Sequence, residues 1–94
     1  MKYRELGETK IKIPVVGMGT ADVKEPNDFI NIIRKGVELG MTLIDTAEVY
    51  DNGLSEELVG KGIRNIRKKV IVASKVSPEN LSCKNLLSSL DKSL

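Results

Sequence analysis

Three short apolar stretches, each followed by a stretch of helical periodicity, set the tightest limit on what this chain can become. "VVGM" precedes "NDFINIIRKGVELG", "MTLID" precedes "SEELVGKGIRNI", and "KVIVAS" precedes "SCKNLLSSLDKSL". Strand and helix in strict alternation, with helices long enough for right-handed crossovers, dictate parallel strands and an α/β architecture. The first strand is expected over Val15 to Met18, interrupted by Gly17, and the third is a continuous apolar run of the kind covered on both faces. Asn27 or Asp28 should cap the first helix, which turns Phe29, Ile30, Ile33 and Val37 to one side and stops at Gly40. Gly36 inside it costs roughly 1 kcal/mol relative to alanine, so packing must hold that helix. The second helix should be capped by Ser55, with Glu56 and Glu57 in its first turn and Leu58, Val59, Ile63 and Ile66 facing inward. The third should be capped by Ser82 and carry Leu86, Leu87, Leu90 and Leu94 at helical spacing. Ahead of the alternation, "YRELGETKIKIP" reads as a hairpin turning at Gly7-Glu8 and stopped by Pro14.

A chain of 94 residues can bury one core, giving a single domain with a hairpin over 1–14 and βαβαβα over 15–94. Three parallel strands leave open edges, a poor stopping place for an independent fold. A complete (β/α)8 TIM barrel takes about 250 residues, of which this chain supplies roughly the first third. The expectation is therefore an incomplete barrel, truncated and prone to aggregate on its own. A small doubly wound domain is the competing architecture.

Composition removes several classes of function. The net charge of +2 is spread along the chain and gives no field for nucleic acid or an anionic membrane. The basic run "RNIRKK", Arg64 to Lys69, falls between a helix and a strand and reads as a solvated helix end. No run approaches the roughly 18 apolar residues of a membrane span, and the N-terminus has no apolar signal core. Cys83 is the sole cysteine and histidine is absent, which leaves no internal disulfide and no zinc set, and suggests a cytoplasmic setting. Chemistry at neutral pH must then fall to Asp, Glu, Lys, Tyr or Cys.

In parallel α/β sheets functional groups gather at the carboxyl ends of the strands. Here those ends carry Gly19 and Thr20, then Asp45 followed by Tyr50, then Lys75. A carboxylate buried after Leu43 and Ile44 needs a cation, and Lys75 stands at the matching point of the neighbouring strand. Such a pair serves equally well to fix strand register. A nearby ammonium favours the phenolate form of a tyrosine, so Asp, Lys and Tyr together make a proton-donating device without histidine. A loop tyrosine by itself also packs simply with its hydroxyl at the surface. The glycines of "GMGT" indicate close approach to the backbone, and Asn52-Gly53 reads as a turn.

Taken together, "GMGT", "IDTAEVYDNGLSEELVGKGI" and "VIVASKV", in that order and spacing, resemble the aldo-keto reductase family from about Tyr3 to Leu94. The resemblance implies the N-terminal portion of an NAD(P)H-dependent reductase of aldehydes or ketones on a TIM barrel, with NADP as cofactor and NAD as the alternative. By position, Tyr50 would donate the proton, Lys75 would be the cation easing its departure, and Asp45 would be the partner of Lys75. Gly19 and Thr20 would lie beside the nicotinamide end of the cofactor, with Asp45 and Lys75 also at the cofactor. The sequence departs from the family in having no histidine, where the family places a fourth catalytic residue at the end of the fourth strand, and in lacking the family's later cofactor loops; set against the resemblance, this implies a truncated fragment inactive by itself. Two rivals stand beside this reading. One is a Schiff-base lyase built on Lys75. The other is an interaction module that self-associates, or pairs through its open sheet edge with a separately encoded remainder of the barrel.

Overall fold

The hairpin forms because Gly7 and Lys10 both take left-handed backbone angles (φ 55° and 62°), which reverses the chain within a few residues. In the computed structural model, which describes residues 1–94, β1 (Tyr3–Glu5) and β2 (Lys12–Pro14) pair antiparallel with Arg4 opposite Ile13. The Thr9 hydroxyl closes the turn by donating to the Leu6 carbonyl at 2.6 Å.

Three parallel strands follow, β3 (Met18–Gly19), β4 (Leu43–Asp45) and β5 (Ile71–Ala73), in the spatial order β3-β4-β5. Successive strands are added on one side in chain order, as in the wall of a barrel and equally in the first half of a doubly wound sheet, and among these residues no barrel closes. The register puts Ile44 between Met18 and Val72, and Asp45 between Gly19 and Ala73. Ile44 is fully buried and centres a core of Met18, Ile33, Val59, Ile63 and Val70.

The first strand begins later than its apolar run suggests. Val15 and Val16 remain half exposed, and the Val15 N–H donates to the Lys2 carbonyl instead of joining the sheet. On β5, Ile71 and Val72 are only half buried and Ala73 is exposed, so the expected cover on both faces is missing.

Helix α1 (Pro26–Glu38) starts at a proline rather than at an Asn or Asp cap. Its N-cap is Glu25, with no side-chain capping bond, and Asn27 and Asp28 lie inside the first turn. Proline has no N–H to satisfy and its fixed φ suits the first helical position, so it replaces the capping side chain. The helix ends as the sequence indicates. Gly40 (φ 94°) donates its N–H to Val37, and Met41 donates to Gly36, both at 2.9 Å. Gly36 is explained by packing, because a Cβ there would collide with the Met18 sulfur. Helix α2 (Leu54–Ile63) turns Leu58, Val59 and Ile63 into the core, but it begins at Gly53 (φ 91°) rather than at Ser55, and Ile66 packs on the core from beyond its end. Helix α3 (Cys83–Ser93) is capped by Ser82, whose oxygen accepts from the Asn85 N–H at 3.2 Å. Its leucines, Leu86, Leu87, Leu90 and Leu94, stay exposed.

Two glycines should respond to alanine in opposite directions. At Gly17 a Cβ would sit 2.9 Å from the backbone oxygen of Leu43, which the paired strand cannot easily move. Gly17→Ala is expected to cost about 1–3 kcal/mol. Gly60 lies on the exposed side of α2 with nothing within 4 Å, so Gly60→Ala should stabilise by up to about 1 kcal/mol. Urea midpoints of the two variants against the parent test both signs.

Candidate active site at the strand ends

The three strand ends converge as parallel pairing requires. The ladder continues past the strands, with the Thr46 N–H donating to Ala73 at 2.8 Å and the Glu48 N–H to Lys75 at 3.2 Å. That continuation brings the Lys75 side chain back over Asp45. Its ammonium donates to Asp45 Oδ2 at 2.7 Å, to the Thr46 carbonyl at 2.8 Å and to the Tyr50 hydroxyl oxygen at 3.5 Å. It also lies 5.1 Å from the centre of the Tyr50 ring. All three ammonium protons are thereby directed. The bond to Asp45 is the chief reason the Lys75 ammonium holds its proton beyond the usual lysine value of 10.5; burial opposes this, and Tyr50 adds to it.

The pair is more open than a buried carboxylate at a strand end would be. The Lys75 and Asp45 side chains are 50% and 47% exposed, so solvent screens their attraction and burial is not what demands it.

Tyr50 is delivered by a tight turn. It begins a single 3-10 turn, Tyr50–Gly53, in which Asp51 and Asn52 are left-handed (φ 51° and 55°) ahead of Gly53. Asp and Asn are the side chains that tolerate this conformation best. Asp51 Oδ2 also accepts the Val23 N–H at 3.0 Å, tying the turn to the loop after β3. The Asn52-Gly53 turn is thus part of a longer left-handed run.

Gly19 and Thr20 play distinct parts. Gly19 is exposed, with open space where a Cβ would be. Thr20 is 2% exposed, and its hydroxyl donates to the Asp45 carbonyl at 2.9 Å. The Ser55 oxygen lies 2.8 Å from both the Thr20 carbonyl and the Thr20 hydroxyl, and 3.0 Å from the Thr46 hydroxyl. Ser55 spends its hydroxyl here, which is why it does not cap α2. This buried knot joins the ends of β3 and β4 to the first turn of α2.

Two further residues escaped the sequence reading. Thr46 directly follows Asp45, a position whose burial could have flagged it. Glu48 lies between Asp45 and Tyr50; its Oε1 accepts from the Ser77 N–H at 2.6 Å and from Asn80 Nδ2 at 3.0 Å. Those bonds, Asn80 first, bring its carboxyl down from 4.5 to about 2.

The surface formed by Gly19, Asp45, Tyr50 and Lys75 offers open backbone, a free carboxylate oxygen, a phenol and an ammonium. Asp45 Oδ1 takes no bond from the chain, so a sugar hydroxyl has an acceptor there. These groups fit the ribose and nicotinamide end of a dinucleotide. They include no set of cations or backbone donors suited to its phosphates. Cys83 is exposed and apart from the cluster, no three His, Cys, Asp or Glu side chains form a metal-binding group, and no helix is long and apolar enough to cross a membrane.

A family model described as Aldo/keto reductase family matches residues 15–94, the segment that carries all of these groups. The chain belongs to the aldo/keto reductase family. It is 38% identical over 88 residues to the methylglyoxal reductase YeaE of Escherichia coli, covering 89% of this chain and 31% of that protein. The thermostable aldo-keto reductase Tm1743, solved with the inhibitor epalrestat, superposes with a TM-score of 0.93 at 37% identity, covering 100% of this chain and 38% of that one. An aldo/keto reductase from Klebsiella pneumoniae, solved with NADP and acetate, gives 0.84 at 34% identity, covering 88% of this chain and 31% of that one. The chain thus spans about a third of the length of the reductases it matches. The likeness to these barrels agrees with the strand order and with the resemblance seen in the sequence.

Two variants probe the bonds around the site. Ser55→Ala should cost about 1–3 kcal/mol by leaving buried hydroxyl and carbonyl groups without their partner, measured by chemical denaturation. Glu48→Gln tests the acid limb. Because folding lowers the Glu48 carboxyl, its charge contributes stability fully above about 4.5, and that contribution is lost as pH falls through about 2. The stability difference between parent and Glu48→Gln should therefore be constant above that window and vanish through it, as followed by melts across acid pH.

Proposed function

We propose that Asp45, Tyr50 and Lys75 are the proton-donating part of an NADPH-dependent carbonyl reductase site, acting within a (β/α)8 barrel of which these 94 residues form the N-terminal portion. The single observation that carries the reading is the Lys75 ammonium bridging Asp45 at 2.7 Å and the Tyr50 hydroxyl at 3.5 Å. Membership of the family supports it, as do the NADP of the Klebsiella enzyme and the carbonyl substrate in the name of the Escherichia coli relative.

When bound, the reduced nicotinamide supplies a hydride to the carbonyl carbon. As that carbon gains its new bond, negative charge builds on the carbonyl oxygen, and Tyr50 transfers its hydroxyl proton there. The product is an alcohol, and the phenolate left behind regains a proton from solvent. Lys75 stabilises the charge on the phenolate oxygen while that proton is away. Asp45 keeps the ammonium aimed, and its free oxygen would receive a ribose hydroxyl. Gly19 would leave room for the nicotinamide, while Thr20, turned inward, would hold the Gly19 and Asp45 backbones in place. The substrate is an aldehyde or ketone.

The firmly held proton on Lys75 weighs against a Schiff-base lyase, which needs a neutral amine to attack the carbonyl. Loss of the phenol decides the matter. In a complete barrel carrying this segment, Tyr50→Phe should lower kcat for carbonyl reduction by at least about a hundredfold, the usual worth of a general acid, with NADPH affinity little changed. Turnover followed by loss of reduced-nicotinamide absorbance, beside NADPH binding by fluorescence, measures both; near-parental turnover removes the assignment.

A further inference from the structure

Tyr50 and Lys75 reach the site from different loops, each beyond the last residue of its strand, Asp45 on β4 and Ala73 on β5. Beyond the Lys75 ammonium's own bonds, Glu48 is what holds the two loops together. Its N–H donates to the Lys75 carbonyl at 3.2 Å, and its side-chain Oε1 accepts from the Ser77 N–H at 2.6 Å and Asn80 Nδ2 at 3.0 Å. One residue, two positions before Tyr50, therefore grips the other loop on both sides of Val76.

We propose that Glu48 is a positioning residue for catalysis, bracing the Lys75–Asn80 loop against the loop of Tyr50 and so setting the distance between phenol and ammonium. The proposal rests on the carbonyl-reductase reading, which gives that distance its purpose. At 3.5 Å the Lys75–Tyr50 contact stands at the outer edge of hydrogen bonding, where a slip of a few tenths of an ångström breaks it. The brace is charge-assisted, a carboxylate oxygen shared by two N–H donors, and such bonds are among the shorter and stronger kind. Its low carboxyl value keeps it ionised across the neutral range. Catalytic geometry of this kind is sensitive to displacements of about an ångström.

Reach and charge can be separated. Glu48→Asp keeps the charge but withdraws the oxygen by one carbon–carbon bond, about 1.5 Å. Glu48→Gln loses the charge but keeps the reach, and its amide oxygen can accept both bonds. Two readouts are taken on each variant placed in a complete barrel carrying this segment: competitive acylation of Lys75 against pH without cofactor, and kcat with KM for NADPH in carbonyl reduction. In Glu48→Gln, with weaker bonds but full reach, both should stay nearer the parent than in Glu48→Asp. In Glu48→Asp, Lys75 should titrate closer to the 10.5 of an ordinary lysine as its contacts with Asp45 and Tyr50 loosen. There kcat should fall about tenfold to a hundredfold while KM for NADPH stays within about twofold.

The proposal is overturned if Glu48→Asp moves neither readout, or if Glu48→Gln is impaired as much as Glu48→Asp. A lower melting temperature in Glu48→Asp with Lys75 labelling unmoved gives Glu48 a role in stability alone, and also overturns it. Labelling that behaves as expected in a complete barrel carrying this segment that nevertheless reduces no carbonyl overturns the reductase reading and with it the catalytic part of this proposal, while the brace itself stands.

Discussion

Ser55 sits where three separate pieces of the chain must meet, and its hydroxyl touches all of them. It bonds to Thr20 at the end of β3, to Thr46 at the end of β4, and it belongs to the first turn of α2. Buried polar groups are tolerated only when paired, so this knot has one low-energy arrangement and sliding a strand or helix by a residue would break it. With the strand ends fixed, Asp45 has a defined position, Lys75 has something to reach for, and the tyrosine turn starts from a fixed base. The apolar core below supplies cohesion; the hydroxyls supply register.

The site above the knot works by a different kind of electrostatics. Asp45 and Lys75 are half exposed, so their attraction contributes little to stability. Its effect is directional. The ammonium spends its protons on a carboxylate, a carbonyl and a phenol, which orients the charge toward Tyr50. Glu48 meanwhile bonds through its N–H and Oε1 to the Lys75–Asn80 loop and to none of the side chains of that cluster. One set of interactions aims charge and the other holds geometry.

Much of this was legible in the sequence because alternating apolar runs and helical periodicity report directly on burial. The strand–helix order, the inward faces of α1 and α2, the Gly40 stop and the Ser82 cap all follow from local pattern. So did the meeting of Asp45, Tyr50 and Lys75, since parallel neighbours place their strand ends side by side. The misreadings have two causes. Asn27 and Asp28 have the chemistry of caps, but Pro26 beside them starts the helix without one; Ser55 has it too, but its partners lie 9 and 35 residues away. Glu48 was passed over for the same reason, its partners being Ser77 and Asn80. The α3 leucines could be located as a stripe, but periodicity does not say what meets them.

The left-handed run at Asp51, Asn52 and Gly53 has a consequence for how such a site can change over generations. Those three positions accept only side chains at ease with positive φ, and Asp51 is further committed to the Val23 N–H. The spacer between phenol and α2 is in effect a fixed-length hinge that cannot be lengthened or recoloured one residue at a time. Substitutions at this corner are therefore held to a narrower set of side chains than an ordinary loop would accept.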